Sequence, residues 1–150
     1  MAEKPKIRFQ RANFVVSDID RALTFYRDVL GFEVTFRKAH NPESYSFPVF
    51  EIPKNAEIGF CILSAPNQPR IMALTQIAGV TMEPVPFPRR GAIVLEMADP
   101  DETIEGAKEL GLHVYEESRL VTGDGRVGRE IGIVDFDGNL ILIYLITGKE

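Results

Sequence analysis

Phe14-Val-Val-Ser-Asp-Ile-Asp-Arg-Ala-Leu-Thr-Phe-Tyr-Arg-Asp-Val-Leu-Gly-Phe-Glu33 returns about eighty residues later, in weaker form, as Val94-Leu-Glu-Met-Ala-Asp-Pro-Asp-Glu-Thr-Ile-Glu-Gly-Ala-Lys-Glu-Leu-Gly-Leu-His113. Each copy holds an apolar alternating run, an Asp that stops it, an amphipathic helix, a Gly and a second alternating run. A repeat of this period sets the architecture before any single residue is weighed. Two copies are too few for a solenoid. They describe one globule made of two similar halves.

Working outward from the first copy, residues 8–17 read as a strand and Asp18 as the cap of a helix, its carboxylate accepting from the free N–H groups of the first turn. Ile19, Ala22, Leu23, Phe25, Tyr26, Val29 and Leu30 recur near a 3.6-residue period, which predicts a helix through about Leu30, ended by Gly31. Phe32, Val34 and Phe36 then alternate with polar residues over 32–38, a half-buried strand. A polar segment, His40-Asn-Pro-Glu-Ser44, follows, with strand-like runs near 47–52, 57–64 and 70–77. Met82-Glu-Pro-Val-Pro-Phe-Pro88 reads as a stiff connector, because proline withholds a ladder donor and favours an extended path.

Beyond it the order repeats: strand 91–98, helix about 100–110, Gly111, strand 112–118, strand 127–134, the turn Asp135-Phe-Asp-Gly-Asn139 and a buried strand 140–146. The expectation is one domain over 1–150, with a first module at about 7–80, a linker at 81–90 and a second module at 91–147. Each module is βαβββ. One helix covers one face of a four-stranded sheet, so the other face must meet something else. The expected α+β fold is therefore two such modules forming a cup-shaped mixed sheet, with helices on the outer face.

Bulk properties narrow the function. The chain has 150 residues, 45% hydrophobic and 26% charged, with a formal net charge of −5. That balance, without a long Lys/Arg run, argues against nucleic acid as partner, and no apolar run reaches membrane-spanning length. The opening Met-Ala-Glu-Lys-Pro-Lys is followed by no apolar segment of the kind a secretion signal needs. Cys61 stands alone within Ile58-Gly-Phe-Cys-Ile-Leu63, which excludes an internal disulfide and reads as a small buried residue. Together these features point to the cytoplasm.

Strand alternation separates the two faces of each sheet. Ala12, Phe14 and Val16 suit the helix-covered face, leaving Arg11, Asn13 and Val15 toward the cup. Ile93, Leu95 and Met97 likewise leave Ala92, Val94 and Glu96 inside. In the last strand either Leu140, Leu142 and Tyr144 or Ile141, Ile143 and Leu145 face inward. Arg11 suits a planar anion, because its fork matches a carboxylate or phosphate. Asn13 offers a donor and an acceptor. Glu96, if enclosed by apolar walls, would hold its proton more tightly and could act as acid or base. The plainer alternative is that Arg11 and Glu96 neutralise each other as an ion pair between the halves. His40 and His113 lack spaced carboxylate partners and read as ordinary structural histidines. Tyr45, Phe47, Phe50, Phe60, Phe87 and Tyr144 divide between core and the walls of a pocket.

Phe14-Val-Val-Ser-Asp18, Ala22, Phe25-Tyr26, Leu30-Gly31-Phe32 and Asp135-Phe-Asp-Gly-Asn-Leu140 resemble the vicinal-oxygen-chelate superfamily, which includes glyoxalase I, extradiol dioxygenases and bleomycin-resistance proteins. The resemblance covers nearly the whole chain. It implies that Leu142 takes the inward position. It also implies that metal-using relatives place four His, Glu or Gln ligands where this chain has Arg11, Ala73, Ala92 and Leu142. Arginine has no free lone pair, and Ala and Leu have no donor atom. The expectation is no metal and no cofactor.

Three functions are then open. The first is a protein that binds a small aromatic or amphiphilic molecule in the cup through Arg11, Asn13, Glu96, Leu142 and Tyr144. As in resistance proteins of the superfamily, it would form a homodimer, and its acidic charge agrees with a cationic compound. The second is a metal-independent isomerase or lyase, with Glu96 as catalytic acid/base and Arg11 as anion clamp. The third is a metal-dependent glyoxalase- or dioxygenase-type enzyme with displaced ligands.

Overall fold

Two carboxylates at matching places start the two main helices. Asp18 accepts from the Arg21 amide at 3.0 Å and opens α1 (Ile19–Tyr26), while Asp99 accepts from the Glu102 amide at 3.1 Å and opens α3 (Pro100–Glu109). Pro100 suits the first turn, where its missing N–H is not needed. Asp101 and Glu102 lie near the positive helix end. Glycines in the left-handed region, Gly31 at φ +92° and Gly111 at φ +78°, follow both helices.

The regular part of α1 ends at Tyr26, earlier than the periodicity predicts. The chain then widens, with Leu30 N–H donating to the Phe25 carbonyl at 2.9 Å and Phe32 N–H to that of Tyr26 at 3.0 Å. This keeps Leu30 and Phe32 in the core although the helix has finished. The fully buried Phe25 and Tyr26 each contribute roughly 1.5–3 kcal/mol of apolar burial.

The computed structural model describes residues 3–150. Its first sheet contains β1 (Ala12–Val16), β2 (Glu33–Lys38), β3 (Glu57–Ala65) and β4 (Gln68–Ala78), in the order β1-β4-β3-β2. The second contains β5 (Ala92–Glu96), β6 (His113–Val114), β7 (Ser118–Val121), β8 (Arg126–Val134) and β9 (Leu140–Lys149). Here the order is β5-β9-β8, with β6 and β7 both on the free side of β8. In each sheet the first and last strands are parallel neighbours, β1 with β4 and β5 with β9, and the other pairings are antiparallel. The two halves of the repeat are thus two mixed sheets of matching order.

Three expected strands differ. Regular pairing begins at Ala12 rather than residue 8. The run expected at 112–118 is split into β6 and the start of β7, with Tyr115 N–H donating to the Gly132 carbonyl between them. The strand-like run at 47–52 is instead a short helix, α2 (Ser46–Val49), and a tight turn in which Ile52 N–H donates to the Phe47 carbonyl at 2.9 Å. Pro48 cannot donate to a ladder, and Glu51 has φ +54°, so this apolar run curls up instead of extending.

One core cluster includes Phe25, Tyr26 and Leu23 of α1, Leu63, Met72 and Leu74 of the first sheet, and Ile131, Ile133, Ile141 and Ile143 of the second. A polar knot joins the same parts. Asp135, only 6% exposed, accepts from the Tyr26 hydroxyl at 2.7 Å, from Asn139 Nδ2 at 2.9 Å and from the Asp137 and Asn139 amides. Asn139 also donates to the Val15 carbonyl of β1 at 2.9 Å. Burial pushes the Asp135 carboxyl above its ordinary range, while these donors, Asn139 first and then Tyr26, pull it back. Burial, then the neighbouring Asp135, holds the Tyr26 phenol well above its usual range.

Because Asp135 binds its proton more tightly when folded, its contribution to stability is greatest below the ordinary value of 3.8. It declines as pH rises through the raised native value. Tyr26→Phe removes a donor that favours the ionised carboxyl. Denaturant unfolding should show a loss of about 1–3 kcal/mol at neutral pH and a smaller loss near pH 3.8.

Candidate functional site

Alternation leaves each sheet with an apolar, helix-covered face and an open one. Ala12, Phe14, Val16, Ile93, Leu95, Met97, Ile141 and Ile143 all belong to the shared core. Asn13 and Val15 on β1, Ala92, Val94 and Glu96 on β5, and Leu140, Leu142 and Tyr144 on β9 therefore take the opposite side. Register sets Asn13 beside Ala73, Val15 beside Thr75, Val94 beside Leu142 and Glu96 beside Tyr144.

The first sheet's open face is partly roofed by residues 39–56. Phe47, Ile52 and Ala56 from this segment pack on Ile58 and Ile77, with Val15, Val80 and Met82 at the margin. His40 Nδ1 accepts the Ile58 amide at 3.0 Å, and its ring meets Phe47 edge-on at 6.3 Å, which pins the roof to β3. Between roof and sheet lies a cavity of 230 Å³, lined by Lys38, Asn41, Ser46, Ile58, Phe60 and Thr75 among others. Thr75 is 2% exposed, and its hydroxyl donates to Asn13 Oδ1 at 3.1 Å. The Asn13 Nδ2 is buried without a partner among the described residues, an arrangement folded proteins seldom retain without use.

A groove of 570 Å³ crosses the second sheet's open face and includes Phe87, Arg89, Tyr115, Glu130, Leu140 and Leu142. Arg89 donates to the Tyr115 hydroxyl at 2.8 Å and to the Gly138 carbonyl at 3.2 Å, with the Phe87 ring 4.8 Å from its guanidinium carbon. A third hollow, of 680 Å³, takes in Phe32, Gln68, Val94, Glu96 and Tyr144.

The residues singled out from sequence are spread across these places. Asn13 sits with Thr75 beside the first cavity, Leu142 lines the groove, and Glu96 accepts from the Tyr144 hydroxyl at 3.3 Å in the third hollow. Arg11 precedes β1 and lines none of the three, and its Nε donates to the Arg70 carbonyl at 3.4 Å. Among the described residues no ion pair joins Arg11 to Glu96. Glu96 is exposed, so the apolar enclosure expected around it is absent. Lys38, Asn41, Ser46 and Thr75 were not singled out. The alternation of β4, which pairs Thr75 with Val15, is the signal that would have revealed Thr75.

The chemistry at the four implied ligand positions is plain. Arg11 is occupied as a donor, Ala73 and Ala92 end in methyl groups and Leu142 in an isobutyl group, none of which fits a metal ion. Among the described residues no three His, Cys, Asp or Glu side chains cluster to offer a replacement. His40 already uses one nitrogen on Ile58, and His113 packs edge-on against Tyr115 at 4.4 Å.

Comparison with known proteins agrees with this architecture. Residues 8–143 match the family model described as Glyoxalase/Bleomycin resistance protein/Dioxygenase superfamily. A glyoxalase family protein from Bacillus cereus superposes with a TM-score of 0.73 at 18% identity, covering 99% of both chains. The trypanothione-dependent glyoxalase I of Leishmania major gives 0.65 at 20% identity, over 92% of this chain and 86% of that one. A fosfomycin resistance protein from Listeria monocytogenes gives 0.55 at 17% identity, over 98% and 96%. At these identities the likeness is one of fold. A search of curated proteins finds no match.

The roof's anchorage is open to test. His40→Ala leaves the Ile58 amide without its acceptor. Hydrogen exchange at Ile58 should accelerate at least tenfold, with about 1 kcal/mol lost from global stability. Unchanged exchange would mean that the imidazole does not hold the roof.

Proposed function

The chain belongs to the Glyoxalase/Bleomycin resistance protein/Dioxygenase superfamily, and we propose that it binds a small aromatic or amphiphilic molecule without a metal ion. The observation that carries this reading is the side-chain set at the superfamily's ligand positions: Arg11, Ala73, Ala92 and Leu142 cannot coordinate a cation. The cavity on the first sheet has the composition of a ligand pocket, with apolar Ile58 and Phe60 accompanied by a few convergent polar groups. The buried Asn13 NH₂ group, which has no partner among the described residues, lies beside Thr75 and supports a polar anchor there. The metal-independent enzyme reading gains no comparable support, because Arg11 and Glu96 share no hollow.

A homodimer accompanies this proposal. Val94 is 61% and Phe87 76% exposed. With Leu142 and Tyr144 on the same side as Val94, they make an apolar surface that a second copy would cover.

Backbone NMR with benzyl alcohol tests the pocket. Saturable shifts should centre on Ile58, Phe60 and Thr75, and Phe60→Ala should weaken them roughly tenfold. Shifts confined to the second sheet, or none, would contradict the reading. Light scattering tests the assembly. The wild type should be a dimer whose melting temperature rises with protein concentration and Val94→Lys a folded monomer whose melting temperature does not, whereas a monomeric wild type would rule the dimer out.

A further inference from the structure

Lys38 ends β2 on the same side of the sheet as its register partner Phe60, and both line the cavity under the roof. It is the one charged side chain among the described residues lining this cavity, and no acidic group lines it. Lys38 also enters no ion pair among the described residues. In a chain of net charge −5 with 22 acidic residues, a cation left without a carboxylate beside an apolar hollow is a specific local choice.

The neighbouring polar groups point the same way. Asn41 Oδ1 already accepts the Glu43 amide at 3.0 Å, which leaves its NH₂ free to donate. Ser44, also on the cavity wall, accepts the Ser46 amide at 3.1 Å through its Oγ, leaving the hydroxyl proton available. The Thr75 hydroxyl is committed to Asn13. On this wall an ammonium, an amide NH₂ and the Ser44 hydroxyl proton thus remain to donate. Donors converging around one cation suit an oxyanion, and a carboxylate offers enough lone pairs to use all three. Phe60 and Ile58 supply a flat apolar surface within reach of the same donors.

We infer that the ligand is a small organic anion, an aromatic carboxylate whose ring lies on Phe60 and whose carboxylate meets Lys38, Asn41 and Ser44. The inference rests on the binding function proposed above and specifies the charge of its ligand. It runs opposite to the expectation from net charge, because the one charged side chain among the described residues on the cavity wall is a lysine. A cavity of 230 Å³ has room for a single substituted ring.

The test compares three probes of nearly equal shape, benzoate, benzyl alcohol and benzylamine, by NMR titration of the wild type, Lys38→Met and Lys54→Met. Lys54 lies over the Phe47 ring at 4.6 Å and does not line the cavity, so it controls for the loss of one positive charge. The wild type should bind benzoate about tenfold more tightly than benzyl alcohol, a modest factor because the Lys38 head is exposed. Benzylamine should bind most weakly. Lys38→Met should bring benzoate to the level of benzyl alcohol while leaving benzyl alcohol unchanged, and Lys54→Met should change benzoate by less than about twofold. Equal affinity for benzoate and benzyl alcohol in the wild type, or an undiminished benzoate preference in Lys38→Met, would overturn the inference while leaving the pocket intact. Failure of all three probes to shift Phe60 and Thr75 would remove the pocket itself.

Discussion

A strand cannot bury a residue without turning its neighbours the other way, and this constraint governs the molecule's chemistry. Ile141 and Ile143 are fully buried against the helices, so Leu140, Leu142 and Tyr144 must stand on the open face. Phe14 and Val16 impose the same choice on Asn13 and Val15, and Leu74 does so on Ala73 and Thr75. Moving any of these strands by one residue would bring the hydrophobic side chains to water and forfeit many kilocalories of burial. The identities of the open-face residues are therefore as firmly set as those of the core. What these residues offer is alkyl groups, one amide and the hydroxyls of Thr75 and Tyr144 rather than a ring of metal donors.

The two sheets hold their relative positions through Asp135. Its carboxylate gathers donors from α1 and from its own turn, and Asn139 extends the network to β1, the edge strand of the first sheet. A buried carboxyl is tolerated only when its acceptor sites are filled, which makes the knot sensitive to the loss of any one donor. Arg21 adds to it from the surface, with its guanidinium carbon 4.9 Å from the Phe136 ring centre and 3.6 Å separating its Nη2 from Asp137. Apolar packing accounts for most of the cohesion between the halves, and this network fixes their orientation. The same turn adjoins the groove on the second sheet, since Gly138 gives its carbonyl to Arg89.

What the sequence revealed and what it concealed divide along physical lines. Asp18 and Asp99 act within one helical turn, so the helix starts were legible at both sites. The face assignments of β1 and β5 were legible because one parity of each carries a polar residue, Asn13 or Glu96, and the other only apolar ones. In contrast, β9 is apolar on both parities over 140–146, and its inward face was chosen by the resemblance alone. Phe47-Pro-Val-Phe-Glu-Ile52 was not, since a short apolar run has no distinguishing period and its curl is settled by Ile58 and Ile77. Arg11 illustrates the limit of alternation. It lies one residue before regular pairing begins, where parity no longer dictates direction. The cavity was harder still. Lys38, Asn41, Ser44, Phe60 and Thr75 come from two strands of one hairpin, a third strand and the loop that folds across them. That loop is placed by tertiary contacts, of which His40 to Ile58 is one.

The account rests on the side chains at the four positions that the resemblance assigns to metal ligands, Arg11, Ala73, Ala92 and Leu142, being unable to hold an ion. Metal content of the protein, purified without chelators and then equilibrated with Zn²⁺, Mn²⁺, Fe²⁺ and Ni²⁺ in turn, tests this most directly. Elemental analysis after desalting should return far less than one equivalent of every metal. One equivalent of any of them retained on the open faces of the sheets would contradict the account.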